Sequence, residues 1–272
     1  MLHEVGTTNR THLSDYERAI NPESTGALLK VHTSNYRIDG FTKEVSIEEL
    51  VEIGQRHGMP VIYDLGSGAL LPLSRFGIYE EPCITDCVRS GADIVCFSGD
   101  KLLRGAQAGI ILGSKRYISE MKKNPLTRAV RIDKLTLAAL EATLKLYADA
   151  DTASREIPIY AMLSLSQEEL RKTAKQLISL IGDCEADVTV ADTQGRMGGG
   201  SLPANELPGA AVEIYPYNKT VTELEIHLRG CEPPIISRIS HDRLLIEMRT
   251  VDEIDFEYVA GCLKNGLGGK AE

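Results

Sequence analysis

Short apolar runs alternate with an amphipathic helical pattern in the first part of the chain. Residues 27–35 (ALLKVHTSN) predict a strand that ends in polar turn formers, and the run MPVIYD predicts a second strand that ends at Asp64. Between them, apolar residues recur at helical spacing over 46–58, with Ser46 as a suitable N-cap and Gly58 as a suitable stop. The pattern therefore begins as strand, helix, strand.

The same alternation continues to residue 113. A helical segment, EPCITDCVRSGA, comes before predicted strands at 93–98 and 108–113, and the loop between these strands contains Lys101. Strands that alternate with helices at this spacing predict βαβ units and a mainly parallel sheet.

The pattern changes near residue 150. Residues 133–148 predict an amphipathic helix whose apolar stripe is Leu137, Leu140, Leu144 and Tyr147. The later part predicts a smaller α+β unit, with helices at 167–181, 220–229 and 251–264, a strand at 210–215 and a hairpin at 235–248. The predicted domains are 1–149, part of a large domain, and 150–272, a small C-terminal domain.

Composition limits the possible functions. The 272 residues are 43% hydrophobic and 25% charged, with a net charge of −9, so overall charge does not favour nucleic-acid binding. The six cysteines have no zinc-site spacing, the start MLHEVGTTNR has no apolar signal core, and no apolar run reaches about 18 residues. We expect a cytoplasmic protein without a metal site or membrane span.

Asp64 and Lys101 are the strongest candidates for chemistry. Both follow predicted parallel strands, and ligands bind at the carboxyl ends of such strands. A buried ammonium is costly, whereas a lysine that bonds to an aldehyde cofactor carries no such charge. Pyridoxal 5'-phosphate uses this lysine together with an aspartate that pairs with the protonated pyridine nitrogen.

Two serines extend this hypothesis. Ser98 precedes Lys101 by three residues and is expected to contact the cofactor phosphate, and Ser67 is expected to reach the phenolic oxygen of the ring. An alternative remains open, in which Asp64 caps the next helix and Lys101 is a solvated turn residue.

Arg128 and Arg131 form a candidate anion site. They are three residues apart at a helical start, and two neighbouring guanidiniums repel each other unless an anion lies between them. The alternative is that each arginine pairs with a local carboxylate such as Asp133.

Six blocks, in order along nearly the whole chain, resemble the bacterial selenocysteine synthase family, the L-seryl-tRNA(Sec) selenium transferases. They are EVGTTNRTHLSDYERAI, KVHTSNYRIDGFTK, DLGSGAL, FSGDKLLRGAQAGIILG, LTRAVRIDKLTLAALEATLKLY and GGGSLPANELPGAAV. The resemblance implies an α/β, aminotransferase-like large domain (fold type I) that binds pyridoxal 5'-phosphate. It also implies a homo-oligomer, a dimer or a ring of dimers.

The resemblance also implies specific roles. Lys101 is the residue that bonds to the cofactor, Asp100 beside it belongs to the catalytic site, and Arg128 and Arg131 bind selenophosphate. The implied reaction converts seryl-tRNA(Sec) to selenocysteinyl-tRNA(Sec) by β-elimination, through an aminoacrylyl intermediate, followed by addition of selenium.

Two departures accompany the resemblance. The family usually reads GDKLLGGPQAG, whereas this chain has Arg104 and Ala106 in two of those positions. The family chain is also longer, so the large domain is expected to be N-terminally incomplete. Two alternatives follow: a related lyase or sulfur or selenium transferase acting on a small amino acid, or an inactive remnant that only folds and oligomerises.

Overall fold

The computed structural model describes residues 1–7, 9–34, 36, 38, 40–197 and 206–268. The strands are β1 (Leu28–Val31), β2 (Val61–Gly66), β3 (Ile94–Ser98), β4 (Gly109–Gly113), β5 (Ala186–Arg196), β6 (Glu206–Pro216), β7 (Arg238–Ser240) and β8 (Arg243–Glu247). The helices are α1 (Leu13–Ala19), α2 (Ile47–His57), α3 (Ile84–Arg89), α4 (Lys115–Met121), α5 (Leu126–Ala129), α6 (Lys134–Leu146), α7 (Ala150–Glu156), α8 (Pro158–Ser164), α9 (Gln167–Ile181), α10 (Val221–Arg229) and α11 (Phe256–Leu267).

The first sheet has the predicted mainly parallel character. Its strand order is β1-β2-β3-β4, with β1, β2 and β3 parallel and β4 antiparallel to β3. The helix predicted over 46–58 is confirmed as α2: the Ser46 side chain accepts the Glu49 N–H, and Gly58 ends the helix with a left-handed backbone. The three parallel strands therefore place their carboxyl ends at one edge of the sheet.

The core of the first unit lies against one face of this sheet. Leu50 and Ile53 of α2 are completely buried with Leu65 of β2. On the opposite face, Val31 is 58% exposed and Ile111 is 48% exposed. The strand register places both of these residues on the side that carries Asp64.

The second sheet is entirely antiparallel, in the order β5-β6-β8-β7. The predicted strand at 210–215 is part of the longer β6, and the predicted hairpin is formed by β7 and β8. α9, α10 and α11 pack on this sheet through completely buried residues that include Leu177, Leu224 and Leu263. This arrangement is the α+β unit expected from the sequence.

The chain divides into two compact units, residues 1–159 with Met197, and residues 160–196 with 206–268. α7 belongs to the first unit, where Ala153 is completely buried and Asp151 forms a 2.6 Å ion pair with Arg75. The division falls ten residues beyond the predicted boundary after residue 149, and the assignment of two functional domains stays a prediction.

Among the helices of the described residues, none combines the length and the apolar character that crossing a bilayer requires.

Candidate active site

The loop between β3 and β4 is a compact turn that presents Lys101. The Gly99 N–H donates to the Ala108 carbonyl at 2.8 Å, and the Gly105 N–H donates to the Gly99 carbonyl at 2.7 Å. Leu102 and Leu103, directly after the lysine, are buried and anchor the turn from below. The position of Lys101 is therefore set by the strand pair and by apolar packing.

The Lys101 amine lies at the end of β2, over Gly66. A Cβ atom built on Gly66 would lie 3.9 Å from Lys101 Nζ and 3.3 Å from the Ser34 hydroxyl. The Lys101 side chain is half-buried, and its amine has no hydrogen bond or ion pair among the described residues. Lys101 lies in a turn and is partly exposed, so the alternative of a solvated turn residue stays open.

Asp64 lies two residues before Gly66 on β2, the central one of the three parallel strands. It stands opposite Val31 of β1 and Cys96 of β3, and its carbonyl accepts the His32 N–H at 2.8 Å. Burial raises the pKa of the Cys96 thiol, and the negative charge of Asp64 raises it further. The carboxylate therefore lies on the same side of the sheet as Cys96.

Asp64 does not cap a helix. The next helical turn, Leu73–Phe76, has Pro72 at its N-cap position, and α3 begins after Cys83. The capping alternative for Asp64 is wrong.

The two predicted serines lie in different surroundings. Ser98 is the half-buried last residue of β3, and its carbonyl would lie 2.6 Å from a Cβ on Gly68. Ser67 is completely buried, its hydroxyl points back to the Leu65 carbonyl at 3.4 Å, and its own carbonyl accepts the Leu102 N–H at 2.9 Å. A contact between the Ser67 hydroxyl and a cofactor oxygen stays a prediction, and it requires that hydroxyl to turn away from Leu65.

Asp100 and the two arginines are solvent-exposed. Asp100 lies in the turn beside Lys101, Arg128 lies on α5, and Arg131 lies in the link to α6. Neither arginine pairs with Asp133, because that carboxylate accepts the Leu135 and Thr136 N–H groups at the start of α6. Hydrogen bonds from Thr136 lower the pKa of Asp133.

Two residues that the sequence does not single out belong to this edge of the sheet. Ser34 is buried, and its N–H donates to the His32 carbonyl at 3.0 Å. Glu81 places Oε2 3.4 Å from His32 Nε2, and its side chain is only 2% exposed. Ser34 belongs to the polar end of the predicted strand at 27–35, which is a usable signal, whereas nothing in the local sequence marks Glu81. Asn35, at the same strand end, lies outside the described residues.

These residues fit an aldehyde cofactor with a pyridine ring. The amine that would bond to the aldehyde has no hydrogen bond or ion pair in the described part of the chain, and a carboxylate suited to the ring nitrogen lies nearby on β2. The sequence Gly66-Ser67-Gly68 has left-handed glycines at both ends and leaves open the space that a side chain at Gly66 would fill. Among the described residues, no group of three or more His, Cys, Asp and Glu is placed to hold a metal ion.

Comparison with known proteins agrees with this geometry. The model of one protein family, SelA (L-seryl-tRNA selenium transferase), matches residues 1–252. The L-seryl-tRNA(Sec) selenium transferase of Alkaliphilus metalliredigens is 48% identical over 265 residues, which are 97% of this chain and 56% of that protein. The enzyme of the same name from Nitratidesulfovibrio vulgaris is 47% identical over 98% of this chain and 57% of its own length. The chain therefore spans a little over half the length of these curated relatives.

A solved structure shows the same fold. D-glucosaminate-6-phosphate ammonia-lyase superposes with a TM-score of 0.58 at 22% identity, over 98% of this chain and 63% of that chain. The predicted fold class, an aminotransferase-like α/β large domain (fold type I) with a smaller α+β unit, is confirmed.

Proposed function

The chain belongs to the SelA family, and from this premise we propose that it carries the active-site lysine of an enzyme that converts seryl-tRNA(Sec) to selenocysteinyl-tRNA(Sec). The proposed cofactor is pyridoxal 5'-phosphate and the proposed selenium donor is selenophosphate. Because the chain spans about half of its curated relatives, the complete activity would need the remaining part of the family chain.

One observation carries this proposal: the Lys101 amine lies over Gly66, at the same strand ends as Asp64. Lys101 would hold the cofactor covalently, Asp64 would accept a hydrogen bond from the pyridine nitrogen and so keep it protonated, and Ser98 would contact the phosphate. When bound, the cofactor supplies an electron sink that acidifies the Cα–H of the seryl group.

The elimination step also needs a base close to the substrate. Once the amino group of the seryl substrate replaces Lys101 on the cofactor, the freed Nζ can accept the Cα proton, and the buried residues Leu102 and Leu103 hold the backbone next to it in place. The serine hydroxyl then takes up a proton, which Nζ can return, and leaves as water. We assign Asp100, which is exposed beside Lys101, to the same catalytic site.

Addition of selenium requires an anionic donor to be held near the reacting carbon. Arg128 and Arg131 are suited to this role because both guanidiniums are exposed and Asp133 is engaged elsewhere. The proposed substrate also implies a cytoplasmic protein, and the family resemblance implies a homo-oligomer.

The test begins with cofactor binding. Pyridoxal 5'-phosphate is added to the purified protein, the new absorbance band is recorded, and the adduct is reduced with borohydride and located by peptide mass mapping. We expect the label on Lys101, and we expect Lys101→Ala to lose the band while Lys172→Ala, at an exposed position on α9, retains it. Labelling spread over several lysines would contradict the proposal.

A second assay separates the proposed reaction from a lyase of small amino acids. Turnover of seryl-tRNA(Sec) with selenophosphate is compared with turnover of free serine derivatives, in the presence of the part of the Alkaliphilus metalliredigens relative that this sequence does not span. Turnover of the free amino acid alone would favour the lyase.

A further inference from the structure

Positive charge is concentrated in residues 115–134, here called the basic segment. It contains seven Lys and Arg and only two acidic residues, although the chain has a net charge of −9. The segment covers α4, α5 and the start of α6, and hydrogen-bonded turns join its helices. All seven cationic side chains are exposed: Lys115, Arg116, Lys122, Lys123, Arg128, Arg131 and Lys134.

The cations of the basic segment are not neutralised by the protein. None of the seven forms an ion pair within the described part of the chain. Elsewhere in that part of the chain, eleven Lys and Arg side chains form ion pairs: Arg18, Lys30, Arg56, Arg75, Arg89, Lys145, Arg171, Arg196, Arg229, Arg238 and Arg243. A group of unpaired, mutually repelling cations on an acidic chain is the electrostatic pattern of a polyanion-binding surface.

The positions of Lys115 and Arg116 do not serve helix stability. Lys115 and Arg116 occupy the first turn of α4, where the helix dipole disfavours positive charge. Ser114, the N-cap residue, makes no side-chain hydrogen bond that would offset this cost. The first turn of α4 also contains no acidic side chain that would offset these two positive charges.

Two pairs of these cations lie at the two ends of α4. Lys115 and Arg116 begin the helix, and Lys122 and Lys123 directly follow its last residue, Met121. The seven residues of the helix separate the two pairs by about 10 Å along its axis. Two neighbouring cations suffice to bind one small anion, whereas two pairs of cations at this spacing suit a chain of phosphates.

We propose that Lys115, Arg116, Lys122 and Lys123 form a surface that binds the phosphate backbone of the substrate RNA. This inference rests on the proposed function, which supplies an RNA ligand, and it assigns residues that the proposed chemistry does not use.

The test measures RNA affinity against salt concentration. The probe is a fluorescein-labelled RNA hairpin that copies a tRNA acceptor stem with its CCA end, followed by fluorescence anisotropy. We expect the two variants Lys115→Gln/Arg116→Gln and Lys122→Gln/Lys123→Gln each to lose about tenfold in affinity at low salt. Each should also lower the slope of log K against log salt concentration by about 1.5 to 2.

Lys172→Gln/Lys175→Gln is the matched control, because it removes two exposed lysines of α9 outside the basic segment. We expect its affinity and salt slope to stay within about twofold of those of the unmodified protein. Circular dichroism confirms that each variant is folded.

Several results would overturn the inference: no salt-dependent RNA binding by the unmodified chain, an equal loss in the control, or binding to phosphatidylglycerol vesicles but not to RNA. A change in oligomeric state with unchanged RNA affinity would also overturn it and assign the surface to a second copy. The proposed function is tested by a different result: it would be contradicted if Lys101 did not bond to the cofactor.

Discussion

Lys101 holds its amine above Gly66, so close that a Cβ on the glycine would lie 3.9 Å from Nζ. Gly66 has a φ of +67°, a left-handed conformation that costs a residue with a Cβ about 1–2 kcal/mol. The register of β2 and β3 also shifts here, since Asp64 stands opposite Cys96 and Gly66 stands opposite Phe97. Glycine is therefore favoured at this position for two reasons. It adopts the left-handed backbone conformation without strain, and it leaves the space in front of the Lys101 amine open.

Gly66→Ala should impair both stability and cofactor binding. We expect the free energy of unfolding to fall by about 1–2 kcal/mol because of the backbone conformation. The added methyl group also fills the space between Ser34 and Lys101, so cofactor affinity should fall about tenfold or more. Chemical denaturation and absorbance titration with pyridoxal 5'-phosphate measure the two effects.

Gly77→Ala is the control that separates the effect of backbone strain from the effect of filling the space in front of the Lys101 amine. Gly77 has a similar φ of +78°, and nothing lies within 4 Å of a Cβ built there. We expect a similar loss of stability with unchanged cofactor affinity. Equal titration curves for the two variants would contradict the placement of the cofactor at Gly66.

Arg128→Ala should affect the selenium donor and leave the fold intact. Because Arg128 is exposed, the free energy of unfolding should change by less than about 0.5 kcal/mol. We expect an increase of about tenfold in the apparent KM for selenophosphate, with an unchanged absorbance band of the bound cofactor. Arg155→Ala, at another exposed arginine, is the control and should change neither quantity. Loss of the absorbance band would instead give Arg128 a structural role.

The sequence predicts the positions of the helices and strands better than it predicts which of their residues are buried by the rest of the fold. The spacing correctly predicts α6, but of its apolar stripe Leu140 is buried, whereas Leu137 and Leu144 are 55% and 41% exposed. Helical spacing defines a face, and the neighbour of that face depends on distant parts of the fold. β5, for which the sequence predicts no strand, pairs only with β6 and has few buried residues, so its apolar pattern is weak.

The same limit applies to the site. Strand ends at Asp64 and Lys101 predict a common edge of the sheet, and the structure places both residues there. The contact of Ser34 with the space above Gly66 depends on the pairing of β1 with β2 and on a turn after β1, which sequence spacing does not define. Ser67 has the predicted position in the chain, but its hydroxyl points into the protein.

Arg104→Gly should stabilise the protein. Arg104 has a φ of +59°, a conformation that glycine adopts without steric cost. Release of this strain outweighs the greater freedom of glycine in the unfolded chain, so we expect a gain of about 0.5–1 kcal/mol in the free energy of unfolding.

Arg104→Ala is the control for that gain, because alanine keeps the Cβ and removes only the exposed guanidinium. We expect its stability to stay within about 0.5 kcal/mol of the unmodified protein. An equal gain in both variants would mean that the guanidinium, and not the backbone conformation, is unfavourable.

The reactivity of Cys96 reports the position of the Asp64 carboxylate. Burial raises the pKa of this thiol and the charge of Asp64 raises it further, so Asp64→Asn should lower the pKa. At about pH 8 the thiol is mostly protonated, and a lower pKa increases the reactive thiolate. We therefore expect iodoacetamide to alkylate Cys96 about two- to fivefold faster in Asp64→Asn, as followed by peptide mass mapping. Cys184, in the second unit, serves as the internal reference and should react at the same rate in both proteins. An unchanged or slower reaction at Cys96 would place the carboxylate away from β3 and remove the partner proposed for the pyridine nitrogen.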